Sequence, residues 1–201
     1  MEELFQNKYR NCSVRLQSWN YGWDGIYSVT ICTGNREEYF GKIQQNKMCL
    51  NEIGTIAYKY WQEIPQYFPH MILDAFVIMP NHLHGIVMID KNNAYRICRD
   101  AINRVPTNDY GFSNDYVFPN TTRGGVTHHH NPMLYKNLST MIRWYKGRTT
   151  FEIHKTNNDF LWQPRFYDRI IWDENALDIV REYIINNPAK WSRDRNNQKN
   201  R

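Results

Sequence analysis

The sequence predicts an α+β fold in which an antiparallel sheet is covered by helices. Runs rich in β-branched and aromatic residues alternate with segments in which apolar residues recur at helical spacing. Two of the predicted strands are separated only by the turn Pro80-Asn81, which indicates an antiparallel hairpin. With 201 residues, of which 41% are hydrophobic, the chain is long enough for one domain with a sizeable core.

The first half of the chain contains three predicted strands and one predicted helix. A β-branched run ends at the turn-forming pair Gly34-Asn35, and apolar residues at three- and four-residue steps follow it. Two apolar runs then flank the Pro80-Asn81 turn. These patterns predict a strand at 26–33, a helix at 47–68, and strands at 72–79 and 82–89.

The second half begins with a long polar segment and ends with a helix. Residues 91–135 are rich in Asn, Thr, Gly and Pro without a sustained period, which predicts a flexible insertion. Helical spacing returns at 137–155, and a short strand is predicted at 168–172. Asp173 is a typical N-cap for a helix at 174–187, which the following proline ends.

The order of these elements is strand, helix, strand, strand, helix, strand, helix. It matches the split β-α-β-β-α-β unit of ferredoxin-like (RRM-like) domains, with one additional C-terminal helix. We therefore expect an antiparallel sheet with helices on one face and the C-terminal helix across a sheet face. Residues 1–201 are predicted to form a single domain with a flexible insertion at 91–135 and a basic C-terminal tail at 190–201.

The charge distribution favours a nucleic-acid partner. The formal net charge is +5, and the last thirteen residues hold five Lys or Arg residues against one Asp. Side chains such as Lys190 and Arg193 could bind DNA phosphates, although modest basicity also serves solubility alone. The four cysteines form no C-x-x-C pair, and no signal peptide or membrane-spanning run is recognisable. These features predict a cytoplasmic protein with reduced cysteines and no membrane association.

Two histidines, His82 and His84, begin the second strand of the predicted hairpin. Because alternate residues of a strand face the same side, both imidazoles would project together. That geometry suits two ligands of one metal ion. The alternative is a pair of solvent-facing histidines just past the turn.

The predicted C-terminal helix carries Tyr183 and Asn187, which are four residues apart and therefore share a helix face. A phenol and a carboxamide facing a two-histidine metal would place a nucleophile beside its Lewis acid. Both residues also have structural interpretations. Tyr183 lies near the apolar stripe of its helix, and Asn187 precedes a proline and could act as a C-terminal cap.

The segment before the last strand offers candidate contacts to unpaired bases. Trp162 could stack on a base, while Gln163 and Arg165 could form hydrogen bonds to it. Alternatively, Trp162 anchors the loop to the core and Arg165 forms an ion pair.

The chain resembles the REP-associated tyrosine transposases, which belong to the single-tyrosine HUH transposases. The resemblance is carried by YSVTICTGNREEYFG, MPNHLHGIVMI, LWQPRFYDRIIWDE and REYIINNPAKW, which occur in the expected order outside 91–135. It implies that His82, His84 and Asn187 bind Mg²⁺ or Mn²⁺ and that Tyr183 is the nucleophile. The insertion at 91–135 and the N-terminal residues depart from the family pattern.

The activity implied by this resemblance is cleavage and strand transfer of single-stranded DNA through a 5′-phosphotyrosine intermediate. The substrates would be palindromic repeats that fold into hairpins, and the protein would be a monomer or a homodimer. The competing hypothesis is a non-catalytic ferredoxin-like nucleic-acid-binding module with incidental histidines. A zinc metallohydrolase is disfavoured, because the sequence has no H-E-x-x-H motif or second histidine pair of that type.

Overall fold

A computed structural model describes residues 20–91 and 137–200 of the chain. Most of the predicted insertion at 91–135 therefore lies outside the described residues. The regular elements are β1 (Gly25–Cys32), β2 (Gly41–Gln44), β3 (Lys47–Leu50), α1 (Glu52–Gln62), α2 (Ile64–Tyr67), β4 (Met71–Met79), β5 (His82–Ile89), α3 (Leu138–Ile153), β6 (Tyr167–Ile171) and α4 (Glu174–Asn186).

Four strands form an antiparallel sheet in the order β4-β5-β1-β6. This is the strand order of a split β-α-β-β-α-β unit, so the predicted α+β, ferredoxin-like fold class is confirmed. The β1–β5 register places Cys32 opposite His82 and Thr30 opposite His84. Strands β2 and β3 form a separate two-stranded hairpin.

The two faces of the sheet are covered by different helices. Helices α1 and α3 pack on one face, where alternate residues of the central strands, including Val29, Ile31 and Leu83, are fully buried in the main core. Helix α4 covers the other face and forms a smaller apolar cluster. That cluster contains Ile86, Ile171, Leu177 and Ile184. The histidines and α4 consequently share one face of the sheet.

The helix N-termini have side-chain caps. The Asp173 carboxylate accepts the backbone N–H of Ala176 at 2.8 Å, which confirms the predicted cap of α4. Asn51 and Asn137 cap α1 and α3 through equivalent contacts. Each cap pairs a backbone donor that the helix leaves free, and such a cap contributes roughly 1 kcal/mol.

The predicted helix at 47–68 is wrong over its first four residues, which form β3. Gln45 and Asn46 adopt positive φ angles of 48° and 61°, and this turn folds the preceding strand back as a hairpin. The helix begins only after Asn51, whose side chain caps it. The helical periodicity itself begins at Ile53, and the short strands before it carry little signal of their own.

The basic C-terminal segment packs against the domain in the described part of the chain. Residues 188–193 and 198–200 form 3-10 turns, and Asp194, Asn196 and Asn197 are buried. The Gln198 amide donates to the carbonyl oxygens of Asn35 and Arg36. The segment that the sequence predicted as a tail thus returns to the end of β1.

Among the helices that residues 20–91 and 137–200 form, none is both long and apolar enough to cross a membrane.

Two glycine substitutions test the packing of the sheet. A Cβ at Gly85 would lie 2.4 Å from Trp61 in the main core, so we expect Gly85→Ala to destabilise the protein by about 1–3 kcal/mol. A Cβ at Gly147 in α3 meets nothing within 4 Å, so Gly147→Ala should stabilise by up to about 1 kcal/mol. Urea unfolding measures both, and destabilisation of equal size would contradict this packing.

Candidate active site

The two histidines lie side by side at the start of β5. Both side chains project to the α4 face, and the residues are 0% and 5% exposed. Their Nε2 atoms are 3.0 Å apart. The predicted common orientation of His82 and His84 is therefore present in the structure.

A buried amide fixes the orientation and tautomer of His82. The Asn81 Nδ2 group donates to the carbonyl oxygens of Arg36 at 2.9 Å and Asn196 at 2.8 Å. The remaining Asn81 Oδ1 must accept, and it lies 2.8 Å from His82 Nδ1. His82 therefore carries its proton on Nδ1 and directs the Nε2 lone pair into the site.

His84 is held in a similar way by a hydroxyl from the neighbouring strand. Thr30 Oγ1 lies 2.8 Å from His84 Nδ1 across the β1–β5 register. Since a hydroxyl can donate or accept, this contact orients the ring without fixing its tautomer. Both histidines thus use Nδ1 for an oxygen partner and leave Nε2 for the site, as metal-binding histidines generally do.

Burial keeps both imidazoles neutral near pH 7. Desolvation, followed by the charge of Arg195, lowers the pKa of His84 from 6.5 to about 4. Desolvation also lowers the pKa of His82 well below its usual value, with contributions from His84, Arg36 and Arg195. A neutral imidazole is the form that binds a metal ion.

Helix α4 brings Tyr183 to the histidines. The Tyr183 hydroxyl lies 3.4 Å from His84 Nε2, and the residue is 43% exposed. Burial, and then the charge of Asp194, raises the pKa of this phenol, while a hydrogen bond from the Asn187 side chain lowers it. The two opposing effects leave a neutral phenol beside a partly open site.

Asn187 is 1% exposed, and its Oδ1 atom has no hydrogen-bond partner in the described residues. Asn187 occupies the C-cap position of α4, where its backbone N–H donates to the Ile184 carbonyl, whereas its Oδ1 atom takes no part in the cap. The side-chain oxygen is therefore left for another group. A buried carbonyl oxygen without a donor is costly unless a cation or an additional donor approaches it.

These atoms suit a divalent cation. Two ligands bound at about 2.1 Å and at right angles to each other lie about 3 Å apart, which matches the separation of the two Nε2 atoms. A third ligand atom is also available, because the imidazoles and the Asp194 carboxylate lie within 4.8 Å of one another. The site thus offers imidazole nitrogens, a carboxylate oxygen and an unpaired amide oxygen.

Asp194 is the residue that sequence reasoning missed. Its one signal in the sequence was slight: it is the single acidic residue among the last thirteen. Its proximity to the histidines depends on the return of the C-terminal segment to the end of β1, which no local pattern reveals.

The loop before β6 is attached to the end of β1, next to the site. The Gln163 N–H donates to Cys32, and the Lys146 ammonium donates to the carbonyl oxygens of Gln163 and Arg165. The structure places Trp162 among core aromatics, where its indole N–H donates to Thr149. This is the anchoring interpretation of Trp162 and leaves its ring little freedom to stack on a base.

The basic residues predicted to bind DNA are exposed. Arg165, Lys190 and Arg193 all lie at the surface, and Arg165 adopts a positive φ of 66°. Within the described residues, Arg165 forms no ion pair of the kind that the sequence left open.

Comparison with known proteins yields one clear relative. A Haemophilus influenzae protein described as uncharacterised is 35% identical over 183 residues, which cover 90% of each chain. The chain belongs to the same family as that protein. No protein-family model matches the sequence.

Solved structures identify the fold more closely. A REP-associated tyrosine transposase bound to a REP hairpin is similar with a TM-score of 0.50 and 17% identity, over 89% of this chain and 74% of the other. A protein from Deinococcus radiodurans described as a transposase is similar with a TM-score of 0.40 and 12% identity, over 87% of this chain and 97% of the other. The similarity to the first of these structures confirms the resemblance to REP-associated tyrosine transposases at the level of the fold.

Burial of His84 predicts a pH dependence of stability. Its pKa is 6.5 when unfolded and about 4 when folded, so the unfolded chain binds more protons between these values. The contribution of neutral His84 to stability is fully present above the unfolded pKa, and it is lost as the pH falls towards the folded pKa. The slope of the unfolding free energy against pH that this group causes is at most about 1.4 kcal/mol per pH unit.

We therefore expect His84→Gln to reduce the loss of unfolding free energy between about pH 7 and pH 5. Urea unfolding in the presence of EDTA measures this difference without interference from metal ions. An identical pH slope in wild type and variant would contradict the buried, neutral state of His84.

Proposed function

We propose that the protein is a metal-dependent HUH tyrosine transposase that cleaves and rejoins single-stranded DNA. The observation that carries this proposal is the 3.4 Å contact between the Tyr183 hydroxyl and His84 Nε2. A simple binding module has no need of a phenol held beside two neutral imidazoles. The similarity in fold to a REP-associated tyrosine transposase supports the same function.

The proposed reaction is an in-line displacement at phosphorus. The Tyr183 oxygen forms a bond to the phosphorus of a phosphodiester, and the bond from phosphorus to the 3′ oxygen breaks. The phenol gives up its proton, and the departing oxygen takes one up to become a 3′ hydroxyl. Attack of a 3′ hydroxyl on the 5′-phosphotyrosine reverses the step and joins two strands without an external energy source.

The residues of the site have separate roles in this proposal. His82, His84 and Asn187 hold Mg²⁺ or Mn²⁺, which when bound draws electron density from a phosphate oxygen. Asn187 also stabilises the phenolate, because its hydrogen bond lowers the pKa of Tyr183. Asn81 and Thr30 orient the two imidazoles.

The proposed substrate is single-stranded or hairpin DNA formed by palindromic repeats. Arg165, Lys190 and Arg193 are exposed basic residues in segments that pack beside the site, and Gln163 lies in the same loop as Arg165. They would contact phosphates and unpaired bases. A REP hairpin is the DNA bound by the similar transposase, which supports this class of substrate.

Replacement of the nucleophile tests the mechanism. We expect Tyr183→Phe to bind hairpin DNA normally but to lower cleavage by at least about 1000-fold, because only the attacking oxygen is removed. The measurement is transfer of a labelled oligonucleotide to the protein on a denaturing gel with Mn²⁺.

Tyr167→Phe is the matched control. Tyr167 is 43% exposed and lies in β6, where it pairs with Thr30 on the same sheet face as the histidines. Tyr145 is an unsuitable nucleophile, since it is buried in the main core and donates to the Ala57 carbonyl. Covalent labelling that persists in Tyr183→Phe and disappears in Tyr167→Phe would assign the reaction to Tyr167.

A second substitution tests the DNA contact of the loop. If Arg165 contacts a phosphate, Arg165→Ala should weaken hairpin binding and reduce the slope of log affinity against log salt by about one. Arg143→Ala is the control, because Arg143 is exposed on α3 at the other sheet face. Fluorescence anisotropy across a salt titration measures both. Equal slopes in the two variants would remove Arg165 from the DNA interface.

A further inference from the structure

The C-terminal segment places a buried carboxylate at the histidine pair. Asp194 follows the turn at Pro188–Arg193 and is 9% exposed. Its Oδ2 atom lies 3.9 Å from His82 Nε2. Together with the 3.0 Å separation of the two Nε2 atoms, this contact forms a compact group of three potential ligand atoms.

The Asp194 carboxylate is held in place by its own segment. Its Oδ1 accepts the Asn196 N–H at 2.6 Å, and its backbone carbonyl accepts a hydrogen bond from Asn200. Asn196 is in turn joined to the histidine strand, because its carbonyl accepts from Asn81 at 2.8 Å. One carboxylate oxygen is thus used for local structure, while the other remains directed to the imidazoles.

The described side chains provide no Lys or Arg partner for the Asp194 carboxylate. Among the side chains described in residues 20–91 and 137–200, a set that excludes Lys199, no Lys or Arg lies within ion-pair distance of this carboxylate, and His82 is its single ion-pair neighbour. Buried carboxylates are generally paired with a cation or bound to a metal.

We propose that Asp194 is a ligand of the divalent ion at the histidine pair, through its Oδ2 atom. This inference rests on the metal site of the proposed function and adds a residue to it. A second, independent indication of a cation comes from Asn187, whose buried Oδ1 atom has no hydrogen-bond partner among the described residues. The Asn187 side chain hydrogen-bonds to Tyr183, whose hydroxyl lies 3.4 Å from His84 Nε2. An anionic oxygen ligand also explains how a site with two imidazoles accepts a hard ion such as Mg²⁺ or Mn²⁺.

The ligand connects metal binding to the C-terminal segment. Because Asp194 is fixed by residues of the 188–200 segment, the ion would join that segment to β5. Metal binding should then stabilise the packing of the segment, since ligand binding and local folding are coupled.

The test measures Mn²⁺ binding to the DNA-free protein. The readout is the electron paramagnetic resonance signal of the Mn²⁺ that remains free. We expect Asp194→Asn to raise the Kd by at least about tenfold, because a charged ligand is lost. Asp24→Asn is the control and should bind within about twofold of wild type. Asp24 also accepts a backbone N–H through Oδ1, from Lys91, but it lies at the opposite end of β1.

A second measurement uses the wild-type protein, because misfolding of Asp194→Asn could also raise the Kd. In wild-type protein with ¹³C-labelled aspartate carboxylates, bound Mn²⁺ should show a hyperfine coupling typical of a directly bound carboxylate. Absence of that coupling, or equal Kd values for Asp194→Asn and Asp24→Asn, would overturn the inference.

His82→Ala separates this inference from the proposed function. If His82→Ala abolishes Mn²⁺ binding while Asp194→Asn does not, the histidine site stands and Asp194 is not a ligand. If Mn²⁺ binding is unaffected by His82→Ala, the metal site itself is wrong, and the role of Asp194 fails with it.

Discussion

The side chain of Asn81 joins three distant parts of the chain at the site. Its amide group binds the carbonyl oxygens of Arg36 and Asn196, and its oxygen faces His82. An aspartate of the same shape would present oxygen to both carbonyls. It would leave the buried Asn196 carbonyl without the donor it has here, at a cost of about 1–3 kcal/mol, and would leave Gln198 as the donor to Arg36. The turn after β1, the start of β5 and the C-terminal segment therefore depend on one carboxamide.

The main hydrophobic core and the candidate site lie on opposite faces of the sheet. The main core lies under α1 and α3, and it contains most of the buried apolar side chains. The α4 face carries the smaller apolar cluster together with the polar site. Since each buried aliphatic side chain contributes roughly 1.5–3 kcal/mol, substitutions at the site should leave the larger core intact.

Local patterns predicted most elements, and long-range contacts account for most of the errors. The central strands, α3 and the Asp173 cap were predictable because composition, periodicity and capping act over a few residues. The β2–β3 hairpin was missed because its short, polar strands carry little signal. Tyr183 and the two histidines were predicted as site residues from spacing and family resemblance, and the structure brings the three side chains together. The position of Asp194 beside the histidines was missed, and the sequence left two interpretations of Trp162 open, because both environments depend on residues far away in sequence.

The position of Tyr183 depends on how α4 is turned about its own axis. Arg181 binds both carboxylate oxygens of Asp74 in β4, on one side of the buried stripe, and Tyr183 lies on the other side. Each residue added to a helix rotates the remainder of that helix by about 100°. An insertion of one residue between Asp173 and Arg181 would therefore either break the bond to Asp74 or start the helix without its cap. The number of residues in this interval is as strongly constrained as their identity.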